Sequence, residues 1–181
     1  MKYILKTAPT TLPVSVADVK EHLRIGDYTD HDNMIESYIE GATKSFEQQA
    51  NLCLKAQTWY AYLSYEEVVE KIYLHKFPIT AISSIKYYDS DNSQQTMDAS
   101  NYTKIYSARP AEIIIDEVPS VYERSDAMVI EFIAGYTTVP ADIILALKGR
   151  VYKMYNQPDD FVEMKQTYFD KVVRDYRAYE K

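Results

Sequence analysis

Apolar positions along this chain first recur with the period of a helix, then alternate with period two, and finally return to helical spacing. Residues 15–25 begin the first pattern. Pro13 precedes Ser15, whose hydroxyl can accept from the unpaired N–H groups of a first turn, and Asp18 stands at the positive end of the helix dipole. Val16, Val19 and Leu23 follow at i, i+3 and i+7, and Gly26 is the expected C-terminal cap. After an acidic turn with Asp27, Asp30 and Asp32, residues 30–51 carry Met34, Ile35, Tyr38, Ile39, Ala42 and Phe46 on one stripe. Glu36, Glu40, Lys44 and Glu47 take the wet side.

From Gln57 the period drops to two. Trp59, Ala61 and Leu63 alternate with Thr58, Tyr60 and Tyr62, and an acidic turn around Glu66, Glu67 and Glu70 leads to Ile72, Tyr73 and Leu74. Pro78 interrupts the next connection. Residues 79–88 read as a strand, Asp89 to Ser93 as a hairpin turn and residues 94–97 as the return. Segments 102–106, 112–115 and 128–133 complete an expected set of six or seven short strands, whose close succession favours antiparallel pairing.

Helical spacing resumes after Val139-Pro140, where proline near the first helical position loses nothing by lacking an N–H. Ile143, Leu147, Val151 and Met154 form the main stripe. Leu145 and Tyr152 lie nearly opposite, so this helix is expected to meet two neighbours. Pro158 breaks the chain, and Asp159-Asp160 is the expected start of a last helix. Its apolar arc holds Phe161, Met164, Tyr168, Phe169, Val172, Tyr176 and Tyr179. The fold class expected is α+β: a small helical bundle made by residues 1–55 and 136–181, with an antiparallel β sub-domain inserted at 56–135.

Composition narrows the function. With 181 residues, 46% of them apolar, the chain can bury a core without staples. The single cysteine, Cys53, rules out an internal disulfide, and the opening Met-Lys-Tyr-Ile-Leu-Lys does not read as a signal peptide, so a reducing, cytoplasmic setting is expected. No apolar run is long enough to span a membrane. The net charge of −7 argues against tight, non-specific binding to duplex DNA, which depends on lysine and arginine neutralising phosphates. The outlier is 18 tyrosines, which suit protein interfaces because each presents a large, stiff contact area with a polar tip.

Catalytic and ligand-binding motifs are missing. The four glycines, at 26, 41, 135 and 149, are not spaced to cradle a phosphate. The turn at Asp89 begins like a calcium loop, yet Gln94 stands where the sharp-turn glycine is needed and Ser100 where the bidentate glutamate belongs. His22, His31, His75 and Cys53 share no metal-ligand spacing, and His22 reads as flanking a helix interface. The pairs Glu66-Glu67 and Asp159-Asp160 read as a turn and a helix start rather than as acid and base. Lys148, Arg150 and Lys153, with Tyr152 and Tyr155, would make a phosphate patch only if they shared a face, and their angles scatter around the helix. No enzyme activity, metal or cofactor is expected.

Four stretches carry a resemblance: Leu12-Pro-Val-Ser-Val-Ala-Asp-Val-Lys-Glu-His-Leu-Arg-Ile25, Asp32-Asn-Met-Ile-Glu-Ser-Tyr-Ile-Glu-Gly-Ala42, Phe77-Pro-Ile-Thr-Ala-Ile-Ser-Ser-Ile-Lys-Tyr-Tyr-Asp89 and Phe132-Ile-Ala-Gly-Tyr-Thr-Thr-Val-Pro-Ala-Asp142. In order and spacing they resemble the head-tail connector (adaptor, or head-completion) proteins of tailed bacteriophages and prophages, over roughly residues 12–156. The resemblance implies a non-catalytic virion subunit that forms a homo-oligomeric ring beneath the phage portal protein and meets a tail-side head-closure protein. DNA would pass through the channel without sequence-specific binding, and no membrane is involved. It also implies assembly in the bacterial host cytoplasm and residence at the head-tail junction. Leu145, Tyr152, Phe161, Met164, Tyr168, Val172 and Tyr176 are the expected interface positions, on amphipathicity alone. The alternative is a nucleic-acid-binding or other interaction module without catalysis.

Overall fold

The computed structural model describes residues 1–157 and 167–177. It is an α+β protein whose described residues form four α-helices and two antiparallel sheets. The chain divides into two compact units. Among the described residues, one comprises Met1–Pro9 and Ala56–Tyr136; the other comprises Thr10–Lys55 with residues 137–157 and 167–177.

The β unit holds a five-stranded sheet in the order β1-β2-β8-β4-β5 and a three-stranded sheet in the order β3-β7-β6. Their strands are β1 (Lys2–Thr7), β2 (Gln57–Leu63), β3 (Lys71–Leu74), β4 (Ile79–Tyr88), β5 (Gln94–Thr96), β6 (Tyr102–Ile105), β7 (Ala111–Ile115) and β8 (Met128–Ala134). Central β8 alternates strictly: Met128, Ile130, Phe132 and Ala134 are buried, while Val129, Glu131 and Ile133 on the other face are half-buried. Strand β4 needs a different device, because Ile79, Ile82 and Ile85 are spaced by three and a regular strand would turn them to opposite faces. Two β-bulges, between Ile79 and Ala81 and between Ile82 and Ser84, each add one residue. The three isoleucines thus pair with Ala134, Phe132 and Ile130 in turn and all reach the core.

The smaller sheet contributes Ile72, Leu74, Ile113 and Ile115 to the buried set. Two tyrosine hydroxyls tie the sheets together: Oη of Tyr3 accepts from the His75 N–H at 3.0 Å, and Oη of Tyr106 accepts from the Ile82 N–H at 3.1 Å. The Tyr3 ring also meets Phe132 edge-on, with centroids 6.2 Å apart. Residues 2–7 correct the expectation that 1–55 is wholly helical. They form β1 along β2, because a short alternating segment gains ladder hydrogen bonds only when a partner strand is present.

The helical unit contains α1 (Val16–Leu23), α2 (Asp32–Ala50), α3 (Ala141–Asn156) and α4 (Tyr168–Tyr176). Its core is built from Val19 of α1, Ile35, Ile39 and Phe46 of α2, Ile143, Leu147 and Val151 of α3, and Phe169 and Val172 of α4. Ser15 caps α1 as expected, accepting from the Asp18 N–H at 3.0 Å. The C-cap is not Gly26 but Arg24, at φ 60°, whose N–H is satisfied by carbonyls of the last turn. Gly26, at φ 63°, serves the loop beyond it, where a left-handed turn favours a residue without Cβ. Pro140 is the N-cap of α3 rather than its first helical residue. The expected helix start at Asp159-Asp160, with Phe161, Met164 and Tyr179, lies outside the described residues; the described last helix starts at Tyr168.

Candidate interaction surface

The corner between α1 and α2 concentrates the negative charge. Residues 18–40 contain seven carboxylates, at Asp18, Glu21, Asp27, Asp30, Asp32, Glu36 and Glu40, against Lys20 and Arg24, a net of −5. Lys20 adds little positive field outside: it is 8% exposed and its Nζ donates to Asp32 Oδ1 at 2.9 Å. Asp32 is half-buried and the other six carboxylates are exposed. The Ser15 hydroxyl donates to Asp18 Oδ2 at 2.6 Å and holds that carboxyl below its ordinary range, so it stays charged.

Aromatic contacts knit the helices beside this corner. His31 Nδ1 lies 2.7 Å from the Tyr155 hydroxyl, and Tyr28 meets the His31 ring edge-on at 5.0 Å. His22 of α1 meets Tyr152 of α3 edge-on at 6.1 Å, so His22 does flank a helix–helix contact. On its outward side α3 keeps Leu145 50% exposed and Tyr152 49% exposed, while Ile143, Leu147 and Val151 are buried. The two-sided pattern of α3 therefore leaves large apolar area that the helical unit itself does not cover.

Helix α4 divides the remaining expected positions. Val172 is buried with Phe169 and Val173, Tyr176 is half-buried with its hydroxyl donating to Asp142 Oδ1 at 3.0 Å, and Tyr168 points outward at 48% exposure. Phe161 and Met164 lie outside the described residues. The basic residues of α3 are already engaged: the Arg150 guanidinium lies 5.6 Å from the Phe169 ring, and both Arg150 and Lys153 act on the Asp170 carboxylate.

Thr167 and Asp170 form a reciprocal cap. The Asp170 N–H donates to Thr167 Oγ1 at 3.2 Å, and the Thr167 N–H donates back to Asp170 Oδ2 at 2.8 Å. Burial pushes the Asp170 carboxyl up, but the Thr167 hydrogen bonds and the two cations outweigh it and the net shift is downward. A carboxyl depressed in the folded state stabilises above its unfolded value, and that contribution is lost as pH falls through the folded value. The stability gap between the native protein and Asp170→Asn is expected to be widest at neutral pH and to close as pH falls below the ordinary carboxylate range, followed by urea unfolding. Thr167→Ala should cost about 1 kcal/mol.

The other residues singled out for chemistry have local work. Glu67 accepts from the N-terminal ammonium and from the Ser64 N–H, the ammonium being the main reason its carboxyl lies below the ordinary range. Asp89 accepts from the N–H groups of Asp91 and Ser93 and from the Gln95 amide, closing its own hairpin turn. Cys53 is buried. Among the described residues, no group of three or more His, Cys, Asp or Glu could hold a metal ion, and no helix is long and apolar enough to cross a membrane.

Among the described residues the helical unit presents exposed apolar side chains on α3 and α4 and a negative corner between α1 and α2. The chain belongs to the head completion protein family, whose model matches residues 13–167. That confirms the resemblance carried by the four sequence stretches and extends it past α3. Among solved structures, the chain is similar to one from the neck of an empty gene transfer agent (GTA) particle computed with C6 symmetry. There the TM-score is 0.82 at 17% identity, covering 100% of this chain and 97% of that one. Similar chains occur in the virion of the native GTA particle (TM-score 0.81) and in the native neck computed with C12 symmetry (0.80). Both match at 17% identity with the same coverage. At that identity the likeness is one of fold. No curated protein matches the chain.

Proposed function

We propose that this protein is a head-tail connector subunit of a tailed phage or phage-like particle. It forms a homo-oligomeric ring under the portal protein, extends the DNA channel and offers its far side to a tail-side head-closure protein. The observation that carries this reading is the family match over residues 13–167. The role is geometric and non-catalytic: identical subunits joined through two different patches close into a ring when the rotation per subunit permits. The net charge of −7 suits a channel that DNA passes without sequence-specific binding, because carboxylates repel phosphates. Assembly takes place in the bacterial host cytoplasm, and the finished ring sits at the head-tail junction.

The exposed Leu145 and Tyr152 are the first contacts assigned to a neighbour, and the outward Tyr168 of α4 is assigned to the portal. Electron microscopy and mass measurement of the purified protein, alone and mixed with its portal, test the reading. Failure to form rings alone, together with no portal binding at micromolar concentration, overturns it. Leu145→Asp is expected to abolish ring formation while moving the unfolding free energy by no more than roughly 0.5 kcal/mol, since the side chain is exposed.

A further inference from the structure

We propose that the outer face of the five-stranded sheet is half of the contact between neighbouring copies, and that it receives the acidic α1–α2 corner of the next copy. The inference rests on the ring reading and adds which surfaces meet. The pairing register places Lys2, Tyr62, Val129 and Lys86 in one row across β1, β2, β8 and β4, with Ile4, Tyr60 and Glu131 in the row beside it. Core residues occupy the opposite face, where Tyr3, Ala61, Ile130 and Ile85 align.

This outer face has the anatomy of an interface. Its middle is apolar and aromatic: Tyr60 and Tyr62 meet edge-on with centroids 5.9 Å apart, and Ile4 is 42% exposed. Lys6 and Glu131 neutralise one another at 2.7 Å, with Lys6 Nζ 5.1 Å from the Tyr60 ring centroid. Lys2 and Lys86 remain exposed at the two sides of the row. They stand three strand spacings apart, about 14 Å. The face is thus net positive on a chain whose total is −7, and the corner at residues 18–40 carries −5 of that total. Opposite fields on two different patches describe a head-to-tail contact, which is the kind that closes rings. A DNA backbone is a poorer occupant. Two uncompensated lysines flanking an apolar floor neutralise few phosphates, whereas a protein surface covers the floor as well.

Charge reversal in two complementary variants tests this with the full-length protein. Lys2→Glu with Lys86→Glu makes both patches negative; Glu21→Lys with Glu36→Lys and Glu40→Lys takes the corner from −5 to +1 to match the sheet. Each variant alone is expected to assemble at least about tenfold more weakly than the native chain, by mass photometry with and without portal. Mixed in equal amounts, the two should co-assemble into rings containing equal numbers of each. All five side chains are exposed, so thermal unfolding should be unchanged. Should the first variant melt early, Lys2→Gln with Lys86→Gln takes its place and should weaken assembly in the same direction.

Either variant assembling like the native protein, or a mixture that fails to assemble, overturns the proposal. Normal assembly of Lys2→Glu/Lys86→Glu with lost retention of duplex DNA would assign the face to DNA and also overturn it. A native chain that stays monomeric with and without portal fails the ring reading itself, before any variant is compared.

Discussion

Ending the chain after Asn156 is expected to unfold the helical unit, giving aggregation or loss of its cooperative transition, rather than a stable subunit with a weakened portal contact. Helix α4 supplies Phe169, Val172 and Val173 to the core at 4–6% exposure, and Phe169 packs edge-on against Phe46 of α2 with centroids 5.6 Å apart. Burying each such side chain is worth roughly 1.5–3 kcal/mol, so losing three removes about as much free energy as many domains possess. Circular dichroism and calorimetry of the truncated protein check this. A shortened chain that melts as sharply as the native one would show that α4 is dispensable to the core. Because truncation and docking are confounded here, the portal contact is better tested by Tyr168→Ala, which removes an outward ring and leaves Phe169 in place.

Phe132→Ala should be the most damaging single substitution in the β unit, costing roughly 3–5 kcal/mol. Its side chain is fully buried in the middle of central β8, aligned with Trp59 on β2 and Ile82 on β4, with the Tyr3 ring edge-on to it. Removing the ring leaves a cavity on the buried face of the sheet, which the hydrogen-bonded strands around it cannot readily collapse to fill. Ile133→Ala, one residue on but on the half-buried face, is expected to cost clearly less. Urea unfolding of the two variants separates them. Equal losses would mean that the buried face of the sheet has been misassigned.

Much of this was legible in the chain. The Ser15 cap, the stripes of α2 and α3 and the alternation of β8 follow from local rules, since a cap or an amphipathic period expresses itself wherever a core of any kind is available. The order and spacing of four stretches between Leu12 and Asp142 pointed to the family before any coordinate did, and the family model matches residues 13–167. The absence of a phosphate-binding glycine loop was likewise readable directly, since such a loop needs several glycines close together.

Other features were decided only in three dimensions. Residues 2–7 become β1 because β2 is there to pair with them, a contact more than fifty residues away in sequence. The three-residue spacing of Ile79, Ile82 and Ile85 is reconciled with a strand only by two bulges, which are set by the register against β8. Likewise, local periodicity placed Val172 and Tyr168 on the same apolar arc of the last helix. Packing against α2 and α3 decided that Val172 is core while Tyr168 faces outward. The Lys-rimmed outer sheet face had no linear signature at all. Lys2, Tyr62 and Lys86 are scattered along the chain and share a row because strand pairing aligns them, whereas the acidic turn with Asp27, Asp30 and Asp32, part of the corner that complements them, is contiguous in sequence.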